Sequence, residues 1–419
     1  MIKRILMAVT LACSILAVQA QGVSFTASAK KAVSVGERFR LIYSVNAEGS
    51  NFVAPYMNDF NVLSGPSTST SSSVQIINGQ ISQSVSVSYT YILEASKEGK
   101  FNIKPAQITV NGKTYKSNAV DIEVVKGAPP QQQQQQGGGQ QQAQQEKGGE
   151  ISSDDLFVKV NLGKTNVYEG EPIVATLKIY VRTSNGVQLR DLNDVKLPSF
   201  QGFYSQIIEE PTRYSLEDEA YNGQVFQTVM LKKVLLYPQK SGKITIDPLE
   251  IECVYMKRVA RPSFFDDGFR EFKKRVTSQP IAINVKALPG NAPASFGGAV
   301  GTFGLSVKLS KNKVKANESV SLTAKITGTG NLKLAELGKI EFPADFETYD
   351  PKLNSDIKNS TSGSSGFKSW EYLIIPRHPG TFNLPAVKFS YFDVKTGTYK
   401  ELSSEDFEIE VEKGAEGDA

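Results

Sequence analysis

The stretch VYEGEPIVATLKIY, residues 167–180, decides the fold class. After the turn residues Glu169 and Gly170, apolar side chains occupy every second position from Ile173 to Ile179. A period of two is that of a β-strand with one buried face. Glycine suits the positive φ that a tight turn before such a strand can require. The stretch therefore predicts a turn followed by a half-buried β-strand.

The same pattern occurs twice more, as VSVGERFRLIYSV at residues 33–45 and VKANESVSLTAKI at residues 314–326. Each copy has a turn-forming residue, then Glu, then an alternating run. Matching closing segments at residues 91–105, 235–248 and 373–385 each read as a strand, a glycine-containing turn and a strand ended by proline. One more strand follows each of them, at residues 120–125, 281–285 and 407–411. The chain thus contains three copies of one plan.

Short alternating runs at regular spacing predict an all-β protein of three tandem immunoglobulin-like antiparallel β-sandwich domains, at residues 21–126, 151–287 and 302–413. The Cys-Trp-Cys pattern of antibody domains is missing from the sequence. Residues 127–150 are rich in Gln and Gly and are predicted to be a disordered linker, since they could bury little apolar surface. Residues 288–301 are predicted to be a shorter linker and residues 414–419 a polar tail.

The N-terminus reads as a signal peptide at residues 1–20. Lys3 and Arg4 precede an apolar run at residues 5–18, and Val18-Gln19-Ala20 offers a cleavage site. A membrane anchor is the alternative, although this run is short for a membrane span. Lipidation at Cys13 is another, although Thr10 stands where a lipobox usually has Leu. We expect an exported protein of the periplasm or cell envelope.

Composition argues against several functions. A net charge of +4 in 419 residues gives no reason to expect nucleic acid as a partner. Once the signal is removed, Cys253 is the one remaining cysteine, so no internal disulfide can form. Cys253 lies in an alternating run and is predicted to be a buried small hydrophobe; a reactive thiol is the alternative.

The sequence offers little for catalysis. The single histidine, His378, lies in a predicted turn, and no Gly-x-Ser-x-Gly elbow is present. One His and one mature Cys leave too few ligands for a zinc site, and the acids around Asp191 and Asp266 lack EF-hand spacing. We predict that the protein is not an enzyme and has no cofactor or metal site.

An aromatic insertion at residues 258–275 stands out within the second block. Basic residues flank its phenylalanines, and Phe265, Phe269 and Phe272 have helical spacing, which predicts a short amphipathic helix or turn. It could be a lid packed on its own sandwich or an aromatic docking element with a charged rim. The candidate partner-binding residues are Phe264, Phe265, Asp266, Asp267, Phe269 and Phe272.

Over nearly its whole length the chain resembles the BatD (Bacteroides aerotolerance D, or oxygen-tolerance) family. The motifs that carry this resemblance are Gly328-Thr329-Gly330-Asn331-Leu332, Phe342-Pro343, Tyr349-Asp350-Pro351, Phe264-Phe265-Asp266-Asp267 with Phe269 and Phe272, Leu373-Ile374-Ile375-Pro376 with Gly380, and Ser278-Gln279-Pro280 leading to Leu288-Pro289.

The resemblance implies a non-enzymatic periplasmic scaffold of the Bat system, linked to tolerance of oxygen or oxidative stress. It implies protein partners, namely membrane proteins with von Willebrand A domains and tetratricopeptide-repeat proteins, encoded near a MoxR-type ATPase. Family members usually continue into a C-terminal membrane helix, whereas this sequence stops at Ala419. We therefore expect that this anchor is absent, in a soluble variant or a truncated form.

The alternative function is a carbohydrate-binding surface protein or glycan hydrolase built on β-sandwiches. Trp370 and the 16 tyrosines could stack on sugar rings. However, Trp370 lies in an apparent strand, where a core position is the simpler interpretation.

Overall fold

The computed structural model describes residues 22–77, 80–126, 151–183, 186–258 and 268–414. The predicted signal peptide, the Gln/Gly linker and residues 415–419 of the tail lie outside these ranges. No α-helix is assigned in the described ranges, and consequently none could cross a bilayer. The prediction of an all-β protein is confirmed.

The chain divides into two compact units, residues 1–136 with 217–225, and residues 137–216 with 226–419. The first unit contains the first block, whose strands are β1 (Phe25–Ser28), β2 (Ala32–Ser34), β3 (Arg38–Val45), β4 (Ser50–Val53), β5 (Phe60–Ile77), β6 (Gln80–Ala95), β7 (Gly99–Ile103), β8 (Gln107–Val110), β9 (Lys113–Lys116) and β10 (Val120–Val125). They form sheets in the orders β1-β3-β6-β5, β2-β10-β7 and β4-β8-β9. Leu41 and Leu93 from the first of these sheets and Ile122 from the second share one buried core, as in a sandwich.

The second block repeats this plan with the strands β11 (Leu156–Leu162), β12 (Asn166–Tyr168), β13 (Ile173–Val181), β14 (Val187–Lys196), β15 (Phe203–Glu209), β16 (Leu216–Tyr221), β17 (Gln224–Pro238), β18 (Gly242–Ile246), β19 (Glu250–Arg258), β20 (Phe269–Thr277) and β21 (Ile281–Lys286). Its sheets have the orders β11-β13-β17-β15, β12-β21-β18 and β14-β19-β20. The alternating run that predicted a strand at residues 173–179 is β13, whose Ile173, Ala175, Leu177 and Ile179 are fully buried.

The strands of the third block are β22 (Phe296–Leu309), β23 (Lys313–Lys315), β24 (Val320–Gly330), β25 (Phe346–Thr348), β26 (Lys352–Ser360), β27 (Gly363–Pro376), β28 (Gly380–Leu384), β29 (Lys388–Asp393), β30 (Thr398–Ser403) and β31 (Phe407–Glu412). β22 starts at Phe296, so residues 296–301, which we predicted to be linker, are strand. They pair in parallel with β29 and join β29 and β30 to the large sheet of this block.

The sheets are not purely antiparallel, which corrects that part of the prediction. In every block the short second strand pairs in parallel with the last strand, as β2 with β10, β12 with β21 and β23 with β31. The chain therefore crosses between the two layers directly after its first strand. This crossing places the turn that the sequence identified at the same corner of each block.

That corner is built alike in all three blocks. Gly36, Gly170 and Asn317 have φ values of 80°, 74° and 71°, as their turn role predicted. The following Glu accepts a hydrogen bond from the backbone N–H three residues before it, at 2.9 Å for Glu37, 2.8 Å for Glu171 and 3.2 Å for Glu318. Its other oxygen pairs with a lysine seven residues earlier, in Lys30–Glu37, Lys164–Glu171 and Lys311–Glu318. The repeated Glu thus locks the turn to the preceding strand.

Within the second unit, the second and third blocks pack against each other. The Tyr168 ring meets the Phe392 ring edge-on at 4.9 Å between centroids. The buried Tyr237 hydroxyl lies 3.0 Å from the Gly330 carbonyl oxygen and 2.6 Å from Ser364 Oγ. A Cβ added at Gly170 would lie 2.9 Å from Val300 Cγ2, so that turn also fits closely against the third block. These contacts make the two blocks one compact body.

Candidate protein-binding surface

The candidate residues predicted from the sequence lie at the connection between β19 and β20. Phe264, Phe265, Asp266 and Asp267 are outside the described residues. Phe269 and Phe272 lie on β20, which pairs with β19 from Glu250 opposite Thr277 to Arg258 opposite Phe269. Residues 259–267 therefore connect the two strands of a regular antiparallel hairpin.

The helical interpretation of this insertion is wrong for Phe269 and Phe272. Both are strand residues, and a separation of three places them on opposite faces of the strand rather than on one helical face. Pairing with the nine residues of β19 satisfies the backbone groups of β20 that face it, and this outweighs the local spacing of the phenylalanines. The structure thus does not gather these two rings into one aromatic patch.

Phe272 anchors the hairpin to the domain core. It lies opposite Tyr255, and the two rings stack with 5.7 Å between centroids and 27° between planes. Tyr255 is 1% exposed, and its hydroxyl accepts a hydrogen bond from the Ile151 N–H at 3.1 Å. The Lys274 ammonium donates to the Ile151 carbonyl at 2.6 Å. Phe272 therefore fits the lid interpretation, while Phe269, half-buried at the end of the pairing, lies next to the connection.

The outer face of the β14-β19-β20 sheet is a second candidate surface, which the sequence did not reveal. It forms a shallow, open depression lined by Arg190, Asp191, Asn193, Val254, Met256, Glu271 and Lys273. Beside it Arg275 pairs with Asp194. Charges of both signs surround Val254 and Met256, an arrangement like the polar rim and apolar centre of protein interfaces. Only the register of three separate strands brings these residues together.

His378 and the possible metal ligands were the groups considered for catalysis. His378 lies in the bend between β27 and β28, with its side chain 71% exposed and 3.3 Å from the Asp345 carboxylate. Among the described residues, this open turn places one carboxylate beside the histidine, which does not make a catalytic triad. In the described ranges, no group of His, Cys, Asp and Glu side chains is arranged to hold a metal ion.

Cys253 is buried in the core of the second block, as predicted. Burial raises the pKa of its thiol to about 12 from an ordinary value of 9.0. Since the thiolate is the reactive species, a shift of this size makes it about a thousandfold scarcer near pH 8. The burial also keeps reagents from the sulfur. The structure thus favours the inert interpretation over the reactive thiol.

We expect the native chain without residues 1–20 to resist labelling by a thiol reagent at pH 8, with a rate at least about 100-fold below that of the unfolded chain. Labelling should follow global unfolding when denaturant is added, and raising the pH to 9 should not make the native chain reactive. The denatured chain is the control. Rapid stoichiometric labelling of the native chain would contradict a buried Cys253.

Trp370 is a core residue, as its place in a predicted strand suggested. It lies on β27, is 4% exposed and packs with Phe389, Phe303 and Ile326. The Lys368 ammonium lies 5.2 Å from its ring centroid. The indole is therefore unavailable for stacking on a sugar.

Comparison with known proteins supports the resemblance found in the sequence. The family model of the BatD DUF11-like domain matches residues 26–124 and 307–411, which lie in the first and third blocks. These two stretches are BatD-family domains. The matched residues include the Gly328–Leu332 motif, whereas the Phe264–Asp267 motif of the BatD resemblance lies in the second block, outside the match. No curated protein matches the chain.

Solved structures similar to this chain include several bacterial adhesins. FdeC, an Escherichia coli adhesin, shares 15% identity with a TM-score of 0.15, over 93% of this chain and 96% of that one. Invasin, a bacterial integrin-binding protein, shares 11% identity with a TM-score of 0.16, over 93% of this chain and 60% of that one. Identities and TM-scores this low carry no argument about function.

Proposed function

We propose that this BatD-family chain is a non-enzymatic scaffold that binds other proteins in the cell envelope, with the β19–β20 hairpin as its docking element. The observation that carries the proposal is the construction of this hairpin. Its strands are fixed to the core by the Phe272–Tyr255 stack, and its connecting residues include Phe264, Phe265, Asp266 and Asp267. A connection that joins the ends of two rigid strands is a common place for binding residues.

The composition of the connection suits protein recognition. Phenylalanines supply large apolar contact area, and the adjacent acids can select a basic rim on the partner. The outer face of the β14-β19-β20 sheet adds charges of both signs beside the same hairpin. A partner could therefore contact the connection and this face together.

The setting in the Bat system rests on the family. BatD-family domains support an exported protein that works with von Willebrand A-domain membrane proteins and tetratricopeptide-repeat proteins of the envelope. They also support a role in tolerance of oxygen or oxidative stress. We propose these partners, an exported location and the absence of catalysis as one hypothesis.

Replacing Phe265 and Phe269 together by Ser should weaken binding to a purified von Willebrand A-domain protein encoded beside this gene by about 30-fold or more, since buried aromatic anchors carry much of the energy of an interface. Biolayer interferometry of the variant and the parent chain measures this loss. Thermal unfolding of the same samples shows whether the fold is kept.

The matched control is Tyr56→Ser, which removes an aromatic side chain that is 94% exposed in the first block. It should leave both binding and stability unchanged. If Phe265→Ser/Phe269→Ser instead lowers the melting temperature and leaves binding intact, the insertion is a structural lid and the docking role is wrong.

The glycan-binding alternative loses its main support because Trp370 lies in the core. A glycan array with clear hits would restore it.

A further inference from the structure

The hairpin formed by β5 and β6 has an unusual composition. From Phe60 to Leu93 the sequence contains no Asp, Glu, Lys or Arg, although these make up 21% of the chain. Asp59 and Glu94 are the charged residues that flank the stretch. Residues 67–73 are Ser and Thr throughout. An uncharged stretch of this length at the surface calls for a physical explanation.

β5 is the edge strand of its sheet, with β6 as its neighbour in the described part of the chain. β6 pairs with β3 only as far as Val87 opposite Val45, while β5 and β6 continue together to Ile77 opposite Gln80. Residues 67–74 pair with β6 from Ser67 opposite Thr90 to Val74 opposite Gln83, and every one of them is exposed. We call residues 67–74 the β5 edge.

Two of the long edge strands elsewhere in the chain carry the charges that usually prevent strand addition, whereas the short edge strands β1 and β28 carry none. β26, at an edge of the third block, has Lys352, Asp356 and Lys358. β20, at an edge of the second block, has Arg270, Glu271, Lys273, Lys274 and Arg275. In contrast, β5 has no charged residue, and its Pro66 and the irregular pairing between Val62 and Ser67 lie before the β5 edge rather than within it. Its backbone N–H and C=O groups can be approached by another strand without burying a charge.

We propose that the β5 edge pairs with the β5 edge of a second copy of this chain, antiparallel across a two-fold axis. A two-fold contact brings each strand against its own sequence, and here neutral residues would meet neutral residues with no like charges opposed. Ser and Thr side chains form favourable cross-strand pairs, and small side chains let the two backbones approach. Eight paired residues extend over about 26 Å, enough for a continuous ladder between the two hairpins.

The charge pattern favours a second copy over a foreign strand. The β5 edge has no charge to select an acidic or basic partner and no large side chain to fit into a specific pocket until Val74. Recognition at this edge would rest on backbone hydrogen bonds, which an identical, uncharged strand satisfies from both sides. The homotypic contact is independent of the docking role proposed for the β19–β20 hairpin.

The test uses the chain without residues 1–20 in sedimentation velocity over a range of concentrations. The parent chain should form a concentration-dependent dimer. Thr68→Lys/Thr70→Lys places like charges on both strands of the contact and should raise the dimer Kd by about tenfold or more. The matched control is Thr381→Lys, on the exposed edge strand β28 opposite Glu410, which should leave the dimer unchanged.

A second readout locates the contact. Ser69→Cys should be cross-linked between chains by a short bismaleimide, whereas Thr381→Cys should not, and the buried Cys253 should not react. A parent chain that stays monomeric at all concentrations would overturn the proposal. So would a dimer that survives Thr68→Lys/Thr70→Lys unchanged. Binding of the von Willebrand A-domain protein by Thr68→Lys/Thr70→Lys should stay at the parent level, so failure here can be told apart from failure of the docking proposal.

Discussion

Replacing Gly330 by Ala should destabilise the third block by about 3–4 kcal/mol, one of the largest effects of any single methyl group in the chain. Gly330 has φ of +153°, and a Cβ there would lie 2.2 Å from the Val300 carbonyl oxygen. It lies opposite Gly301 in the β22–β24 pair, so the clash is with backbone that cannot rotate away. Thermal unfolding should show a transition lower by about 10 °C.

The control for this experiment is Gly290→Ala. Gly290 has no atom within 4 Å of its added Cβ and no positive φ, so this variant should unfold like the parent chain. Equal stability of Gly330→Ala and Gly290→Ala would show that the two strands can separate to admit a methyl group, against the close approach described here.

Gly330 also explains why its motif was informative in the sequence. In Gly328-Thr329-Gly330-Asn331-Leu332, the glycines allow β22 and β24 to approach closely. The Asn331 side chain accepts from the Val300 N–H at 2.7 Å and donates to the Gly298 carbonyl at 2.8 Å. Leu332 is fully buried. The motif therefore fixes the start of β22. This structural role explains why the motif carries part of the resemblance to the BatD family.

Features governed by local sequence could be predicted. Strand periods, turn residues such as Gly36 and Asn317, and the strand ends before prolines follow from interactions within a few residues. β7, β18 and β28 end at Ile103, Ile246 and Leu384, one or two residues before proline, as expected. The lysine partner of each corner Glu could not be predicted. The two residues are seven positions apart and come into contact only because the chain reverses direction between them.

Features that depend on distant pairing could not be predicted. Phe269 and Phe272 have helical spacing in the sequence, yet β19 pairs with β20 over nine residues and draws them into a strand. Residues 296–301 are glycine-rich and read as linker, but β29, some ninety residues later, gives them a strand to pair with. The residues on the outer face of β14-β19-β20 likewise come together only because of the register in which these three strands pair.

The contact between the second and third blocks is the strongest example of this kind. Tyr237 lies in the apolar strand of the second closing segment, and nothing in the local sequence points to a contact with another block. In the structure its hydroxyl reaches residues of the next block, donating to the Gly330 carbonyl or to Ser364 Oγ and accepting from the Ser364 N–H at 3.0 Å. Tyr237 and Ser364 are both 0% exposed. Their polar atoms are shielded from water and form hydrogen bonds with each other.

Tyr237→Phe should therefore lower the free energy of unfolding by about 2–3 kcal/mol at pH 8, although it keeps the aromatic ring. The loss comes from leaving the buried Ser364 N–H and the Gly330 carbonyl without their hydroxyl partner. Calorimetric or denaturant unfolding measures it. Tyr204→Phe is the matched control, since that half-buried ring lies 6.2 Å from the Tyr237 ring, and it should unfold close to the parent.

Two further measurements separate this hydrogen-bond role from simple packing. Ser364→Ala combined with Tyr237→Phe should destabilise by less than the sum of the single variants, because the pair is lost only once. Burial also raises the pKa of Tyr237, and the Ser364 hydrogen bonds only partly oppose this. The unfolded tyrosine ionises near pH 10 and the folded one at higher pH, so Tyr237 adds a loss of stability above about pH 10 that Tyr237→Phe lacks. Other buried tyrosines with a raised pKa, such as Tyr43, contribute the same loss to both chains. The difference in free energy of unfolding between the parent and Tyr237→Phe should therefore become smaller above about pH 10. If the two chains are equally stable at pH 8, the hydroxyl does not couple the blocks.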